Sequence, residues 1–206
     1  MHNSHEFKTA AIALCNVGKY IDSKGWVPAT SGNFSARLPD GTIAITTSGK
    51  HKGHLQVEDI MQIDGDANSL DGKKSSAETG LHTALYKRYP DAHAILHPHS
   101  INAILVSRLF EDKVVLEDYE LLKALHGIKT HETRITVPIF PNDQDIPRLA
   151  HVVDAYLDKV TDCYAYIIAG HGLYTWGESI PEALRHLEAF DYLFDCELRL
   201  CGVKPL

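Results

Sequence analysis

His97-Pro98-His99 follows an apolar run, Ala92-His93-Ala94-Ile95-Leu96, that reads as a buried strand. Side chains alternate faces along a strand, so residues i and i+2 point the same way. Two imidazoles on one face at a strand end can grip one metal ion. A third histidine has similar surroundings: Ile167-Ile168-Ala169-Gly170-His171-Gly172 also ends a β-branched apolar run, with glycines that let the backbone come close. Three neutral imidazoles leave coordination positions open, as catalytic rather than structural zinc sites do. A lone histidine in such a place is more often a hydrogen-bonded core residue. The His-x-His and Gly-His-Gly pair favours the metal.

Three short loops are rich in hydroxyl and glycine residues: Thr30-Ser31-Gly32-Asn33, Thr46-Thr47-Ser48-Gly49-Lys50, and Ser75-Ser76. Each offers N–H groups and hydroxyls without bulk, which suits a cluster of anionic oxygens. The third adds the start of a helix, which favours negative charge. Any one of them alone is an ordinary turn. Together with a metal site they fit a phosphorylated metabolite, its phosphate in the loops and its reactive carbons at the metal. Two carboxylates could do acid/base work there. Glu78 is placed one turn into the helix after Ser75-Ser76, with His82 on the same face. Glu120 begins a Leu121/Leu122/Leu125 stripe. Both also fit the plainer role of acidic groups stabilising a helix N-terminus.

The elements that must position these groups follow from periodicity. A helix is predicted over 5–24, where Phe7, Ala10, Ala11, Leu14, Val17 and Ile21 recur at helical spacing. Residues 34–38 and 42–46 form a hairpin across Asp40-Gly41. A strand near 60–63, a helix over 76–89, a strand over 92–97 and a helix over 100–110 come next. Residues 117–126 read as a short helix. Residues 136–139 read as an edge strand, because Pro138 cannot donate to a ladder. A helix over 146–160, a strand over 163–169 and a helix over 180–201 complete the chain, the last opening with Ser179 and Pro181. This predicts one α/β domain over 1–206: a three-layer α/β/α unit with a mixed, mostly antiparallel central sheet.

Composition narrows the function classes. The chain has 206 residues, 44% of them apolar, which is enough for one sizeable core. Its net charge of -7 argues against a nucleic-acid surface. No apolar run approaches the roughly 18 residues of a membrane span. The start of the chain lacks a basic-then-apolar leader pattern. Four cysteines without paired metal spacing predict a reduced, cytoplasmic setting.

Five motifs in order carry a resemblance: Ser31-Gly32-Asn33-Phe34-Ser35, Thr47-Ser48-Gly49, Ser75-Ser76-Ala77-Glu78, His97-Pro98-His99-Ser100 and Gly170-His171-Gly172. Nearly the whole chain resembles the class II aldolase/adducin family. The resemblance implies one zinc ion per subunit on His97, His99 and His171. It implies phosphate binding by Ser31, Gly32, Asn33, Thr47, Ser48, Gly49, Ser75 and Ser76. The acid/base glutamate of the family's aldolases falls on Glu78, and that of its dehydratases on Glu120. Gly25 to Asn33, Tyr119-Glu120-Leu121-Leu122-Lys123 and Gly170 to Gly177 resemble the dehydratase branch, which favours Glu120 and leaves Glu78 a supporting role. That branch implies dehydration of methylthioribulose 1-phosphate in methionine salvage and a homotetramer with sites between subunits. Class II aldol cleavage and pentulose-phosphate 4-epimerisation are the alternatives within the family, and a metal-binding scaffold is the alternative outside catalysis. Pro98 stands where the family often has threonine. It cannot donate a backbone hydrogen bond, but the imidazoles on either side do not depend on one.

Overall fold

The computed structural model describes residues 4–203. Strands that are mostly buried on both faces build one eight-stranded sheet with a core on each side. The strands are β1 (Asn33–Arg37), β2 (Ile43–Thr46), β3 (Ile60–Ile63), β4 (Ala94–His97), β5 (Lys113–Glu117), β6 (Arg134–Phe140), β7 (Ala165–Ile168) and β8 (Gly172–Gly177). Their order is β3-β2-β1-β4-β8-β7-β6-β5. Only β6 and β7 run parallel, so the sheet is mixed and mostly antiparallel.

Five helices cover it: α1 (Ser4–Ser23), α2 (Thr79–Arg88), α3 (Ile101–Leu109), α4 (Ile146–Leu157) and α5 (Ile180–Leu200). Helices α1, α3 and α5 pack on one face, where Leu14, Val106 and Phe190 meet Phe34, Leu96 and Ile167. Helices α2 and α4 pack on the other, where Leu81 and Val153 meet Ile95, Tyr166 and Ile168. Odd and even residues of one strand therefore serve different cores, as a sheet buried on both faces requires. The three-layer α/β/α expectation holds.

The hairpin, α1, β3, β4 and the later helices form close to their expected positions, and Ser179 caps α5 by accepting from the Glu182 N–H. Three features differ from expectation. The stretch 117–126 is no α-helix, only a 3-10 turn over Glu120–Ala124. The strand around Pro138 is longer and lies inside the sheet, with β5 at the edge instead. Ile139 N–H donates to Asp112 O, so Pro138 faces Lys113 in a pair without ladder bonds. Pairing with β7 begins only at Ile139, so the missing proline N–H costs nothing. Finally, β5 and β8 are strands that periodicity did not mark. β8 opens and closes with glycine and is buried throughout, so it shows no alternation.

Candidate metal centre

His97 is the last residue of β4, and Asn33, the first of β1, lies directly across from it. The chain then turns sharply through Pro98, pinned by the His99 N–H to Trp26 O and the Leu173 N–H to Pro98 O. Ser100 caps α3 immediately afterwards. The third histidine sits in the tight turn between β7 and β8, where Ile168 pairs with Gly172 and the His171 N–H donates to Ile168 O. Gly170 supplies the left-handed conformation of that turn, with φ +66°. Gly172 supplies the close approach: a Cβ there would lie 2.3 Å from Pro98 O and 3.0 Å from His97 Cε1.

These constraints bring three ring nitrogens to one point. His97 Nε2 lies 3.0 Å from His99 Nε2 and 3.4 Å from His171 Nε2. Ligands about 2.0–2.1 Å from a tetrahedral zinc are spaced about 3.3–3.4 Å apart. His97 Nδ1 donates to Leu173 O at 2.9 Å, which leaves Nε2 as a bare lone pair facing the other two rings. Burial, the largest influence, holds His97 well below the ordinary imidazole value and lowers His99 to about 4. All of this suits neutral ligands. The ring of Tyr174 stacks under His97 at 3.9 Å between centroids and keeps it flat.

Glu78 completes the cluster. It is not inside α2, as the helical pattern predicts, but at the residue before the helix, and its side chain caps no helix N–H. The carboxylate turns toward the imidazoles instead. Oε2 accepts from Asn33 Nδ2 at 2.6 Å and lies 3.6 Å from His97 Nε2. Oε1 lies 3.0 Å from His171 Nε2, yet it is buried without a hydrogen bond, because the two atoms do not align as donor and acceptor. An orphaned buried oxygen beside three converging lone pairs is the arrangement a cation resolves. Burial alone would raise the Glu78 carboxyl. The Asn33 amide, which donates to Oε2, favours the ionised form and opposes that effect.

The hydroxyl-rich loops gather beside this centre. Gly32 has φ +76°, and a Cβ there would come within 2.7 Å of His97 O, so the first loop can lie against the metal-side strand only as glycine. Thr47 pairs with Ser75, and the Ser48 N–H donates to Lys74 O, which joins the second loop to the third. Ser31 Oγ is buried without a partner. Lys52, which no motif in the sequence marks, lies between the first two loops. Its side chain is buried, and Nζ donates to Thr30 O at 2.9 Å and Lys50 O at 2.7 Å, tying the first two loops together. Burial lowers its pKa to about 8.

Glu120 is not brought to this centre in the described chain. Its side chain is 73% exposed, pairs with Lys123 and lies 3.9 Å from His131. Another group of possible ligands, His126, Glu178 and Glu182, lies nearer the surface. There Glu182 already accepts from the Glu178 N–H and from Arg185.

Comparison with known proteins decides the family. Residues 12–198 match the Class II Aldolase and Adducin N-terminal domain. The chain belongs to the class II aldolase and adducin family. Among relatives in that family, a methylthioribulose-1-phosphate dehydratase of Methylococcus capsulatus is 64% identical over 204 residues, covering 99% of this chain and 100% of the relative. The Azotobacter vinelandii protein of the same name is 53% identical over 193 residues, covering 93% and 94%. Among solved structures, L-fuculose-1-phosphate aldolase from Thermus thermophilus superposes with a TM-score of 0.74 at 24% identity, covering 96% of this chain and 100% of that one. YgbL from Escherichia coli superposes with a TM-score of 0.80 at 24% identity, covering 97% and 93%. At that identity these likenesses speak for the fold of the family. Among the described residues no helix is long and apolar enough to cross a membrane.

Proposed function

We propose that this chain is a hydro-lyase that dehydrates methylthioribulose 1-phosphate to 5-methylthio-2,3-dioxopentyl 1-phosphate in methionine salvage. The observation that carries this reading is 64% identity to a dehydratase of that name over the whole chain, with three histidines converged as a ligand set.

The metal we assign to His97, His99 and His171 is zinc, one per subunit. When bound, it supplies a Lewis-acid charge beside the substrate's C2 and C3 oxygens. The chain's own groups do the rest. Ser31, Gly32, Thr47, Ser48, Gly49, Ser75 and Ser76 receive the phosphate, with Lys52 holding the first two loops at their spacing, while the Asn33 amide is taken up by Glu78 and His82. That anchors the sugar so that C3 and C4 lie over the imidazoles. A carboxylate takes the C3 proton. The C4 hydroxyl departs with a proton as water, and the C3–C4 enol that remains ketonises to the diketone.

For the carboxylate that takes the proton we assign Glu120 of the partner subunit in a homotetramer. Glu78 is engaged by Asn33 and lies among the ligand atoms, so it serves the metal side. Glu120 borders an open groove of about 800 Å³, lined by Leu121, Arg185, Tyr192 and Leu193 among others. Tyr192 is 62% exposed there, an apolar face that a second copy can cover. The four free cysteines suit a reducing, cytoplasmic setting.

A metal-replete assay against methylthioribulose 1-phosphate, fuculose 1-phosphate and ribulose 5-phosphate, with products identified by mass, tests the reading. Loss of one water from the first substrate alone supports it. Cleavage of fuculose 1-phosphate into two fragments would move the chain to the aldolases and give Glu78 the acid/base role.

A further inference from the structure

Behind the metal centre runs a chain of four consecutive hydrogen bonds whose direction is set at one end. At that end Asn33 Nδ2 donates to Glu78 Oε2 at 2.6 Å. The Asn33 carbonyl oxygen therefore points the other way, into the core, where it meets His82 Nε2. That nitrogen must carry a hydrogen. His82 is wholly buried on α2 and keeps one ring proton, so its Nδ1 is an acceptor. The group it accepts from is Ser35 Oγ at 2.8 Å. Ser35 has then given its only hydrogen away, so it accepts from the Tyr86 hydroxyl, also at 2.8 Å. The donor sequence runs Tyr86 to Ser35 to His82 to Asn33 to Glu78, with a single consistent assignment at each step.

We propose that His82 is a positioning residue: its Nε2–H fixes the Asn33 amide with Nδ2 toward Glu78, and Asn33 in turn holds that carboxylate against His97 and His171. The alternative amide orientation would set the Asn33 oxygen against the Glu78 carboxylate and Nδ2 against the imidazole N–H. Both contacts would then be repulsive, between side chains buried away from solvent. His82 has a second hold on the centre. Its ring meets Tyr174 edge-on at 5.6 Å, and Tyr174 is the ring stacked beneath His97. One buried imidazole thus braces the carboxylate from one side and a ligand ring from the other.

The kinetic part of this proposal rests on the dehydration reading, whereas the hydrogen-bond chain does not. The test uses the zinc-loaded protein with 15N-labelled histidine. The nitrogen shifts of His82, identified by their loss in His82→Gln, should report a neutral ring protonated on Nε2. A ring protonated on Nδ1, or on both nitrogens, overturns the proposal. In the assay, His82→Leu should lose about 10- to 100-fold in kcat, the scale expected for a misplaced active-site group. Its KM should change less than its kcat, and its zinc affinity should fall less than that of Glu78→Gln. His82→Gln keeps a donor for Asn33 and an acceptor for Ser35, and should recover most of the loss. His82→Leu with wild-type kcat overturns the proposal, as does His82→Gln impaired as deeply as a folded His82→Leu. Should His82→Leu fail to fold, the tautomer and the His82→Gln rate still decide. An inactive wild type that shows the Nε2 tautomer counts against dehydration and leaves the positioning chain standing.

Discussion

His97 Nε2 and His171 Nε2 lie 3.4 Å apart although 74 positions separate them in the chain. The contact exists because β4 and β8 are sheet neighbours and because Gly172, beside His171, has no Cβ to strike Pro98 O. His99 reaches the same point by the turn through Pro98. The centre is thus made by strand adjacency, one tight hairpin and one missing methyl group.

Removing a ligand tests that geometry. His97→Ala, His99→Ala and His171→Ala should each lower zinc content below one per chain, measured on purified protein by elemental analysis. Loss of one imidazole leaves two, one short of the three-histidine set. A variant with full zinc and full activity would remove that histidine from the ligand set.

Gly172→Ala tests the close approach. The added methyl must displace Pro98 O, a backbone atom 2.3 Å away. Overpacking of this kind costs about 1–3 kcal/mol. A lowered Tm together with reduced zinc content is expected, because the displaced segment carries His97 and His99. Gly41→Ala is a useful contrast: its φ is +82° but nothing lies near its Cβ, so it should cost stability and leave zinc intact.

The two glutamates should separate by phenotype. Glu120→Gln should keep zinc and substrate binding while kcat falls by about two to four orders of magnitude, the worth of a positioned base. Glu78→Gln should lower zinc affinity, since its carboxylate lies among the ligand atoms. Exchange of the C3 proton with solvent, followed by NMR, distinguishes them. Wild-type exchange in Glu120→Gln would return the base to Glu78.

Ser48→Ala and Ser76→Ala should raise KM with little change in zinc. A hydrogen bond to a charged group is worth about 1.5–3 kcal/mol, or about 10- to 150-fold in binding. An unchanged KM in both would move the phosphate elsewhere.

Lys52 gives a pH signature. Its pKa is lowered to about 8 in the folded chain by burial, from an ordinary value of 10.5. Between those values the unfolded chain binds more protons than the folded one, so this group makes stability rise with pH across that window. The unfolding free energy of the wild type should therefore climb more steeply from about pH 8 to 10.5 than that of Lys52→Met. Equal slopes would mean that the ammonium is not held in a desolvated place.

Much of this protein is legible in its sequence, and the reason is local. The His-x-His at the end of an apolar run, the Gly-His-Gly turn, the Asp40-Gly41 hairpin and the capped start of α5 are short-range patterns. They depend on residues a few positions apart, and they appear in the structure where the pattern puts them. The mixed sheet with helices on both faces follows from the same periodicities. What the sequence could not determine depends on pairing across the chain. The interior place of Pro138 is decided by which ladder its missing N–H would have faced, and β8 shows no alternation because both its faces are buried. The direction of the Glu78 carboxylate is also tertiary, since Asn33 and His82 approach it from β1 and α2. No local pattern marks Lys52, because Thr30 O and Lys50 O surround its Nζ only once the fold has formed. A side chain's neighbours within a few residues are written in the chain, whereas those brought by strand order arise only when the sheet closes.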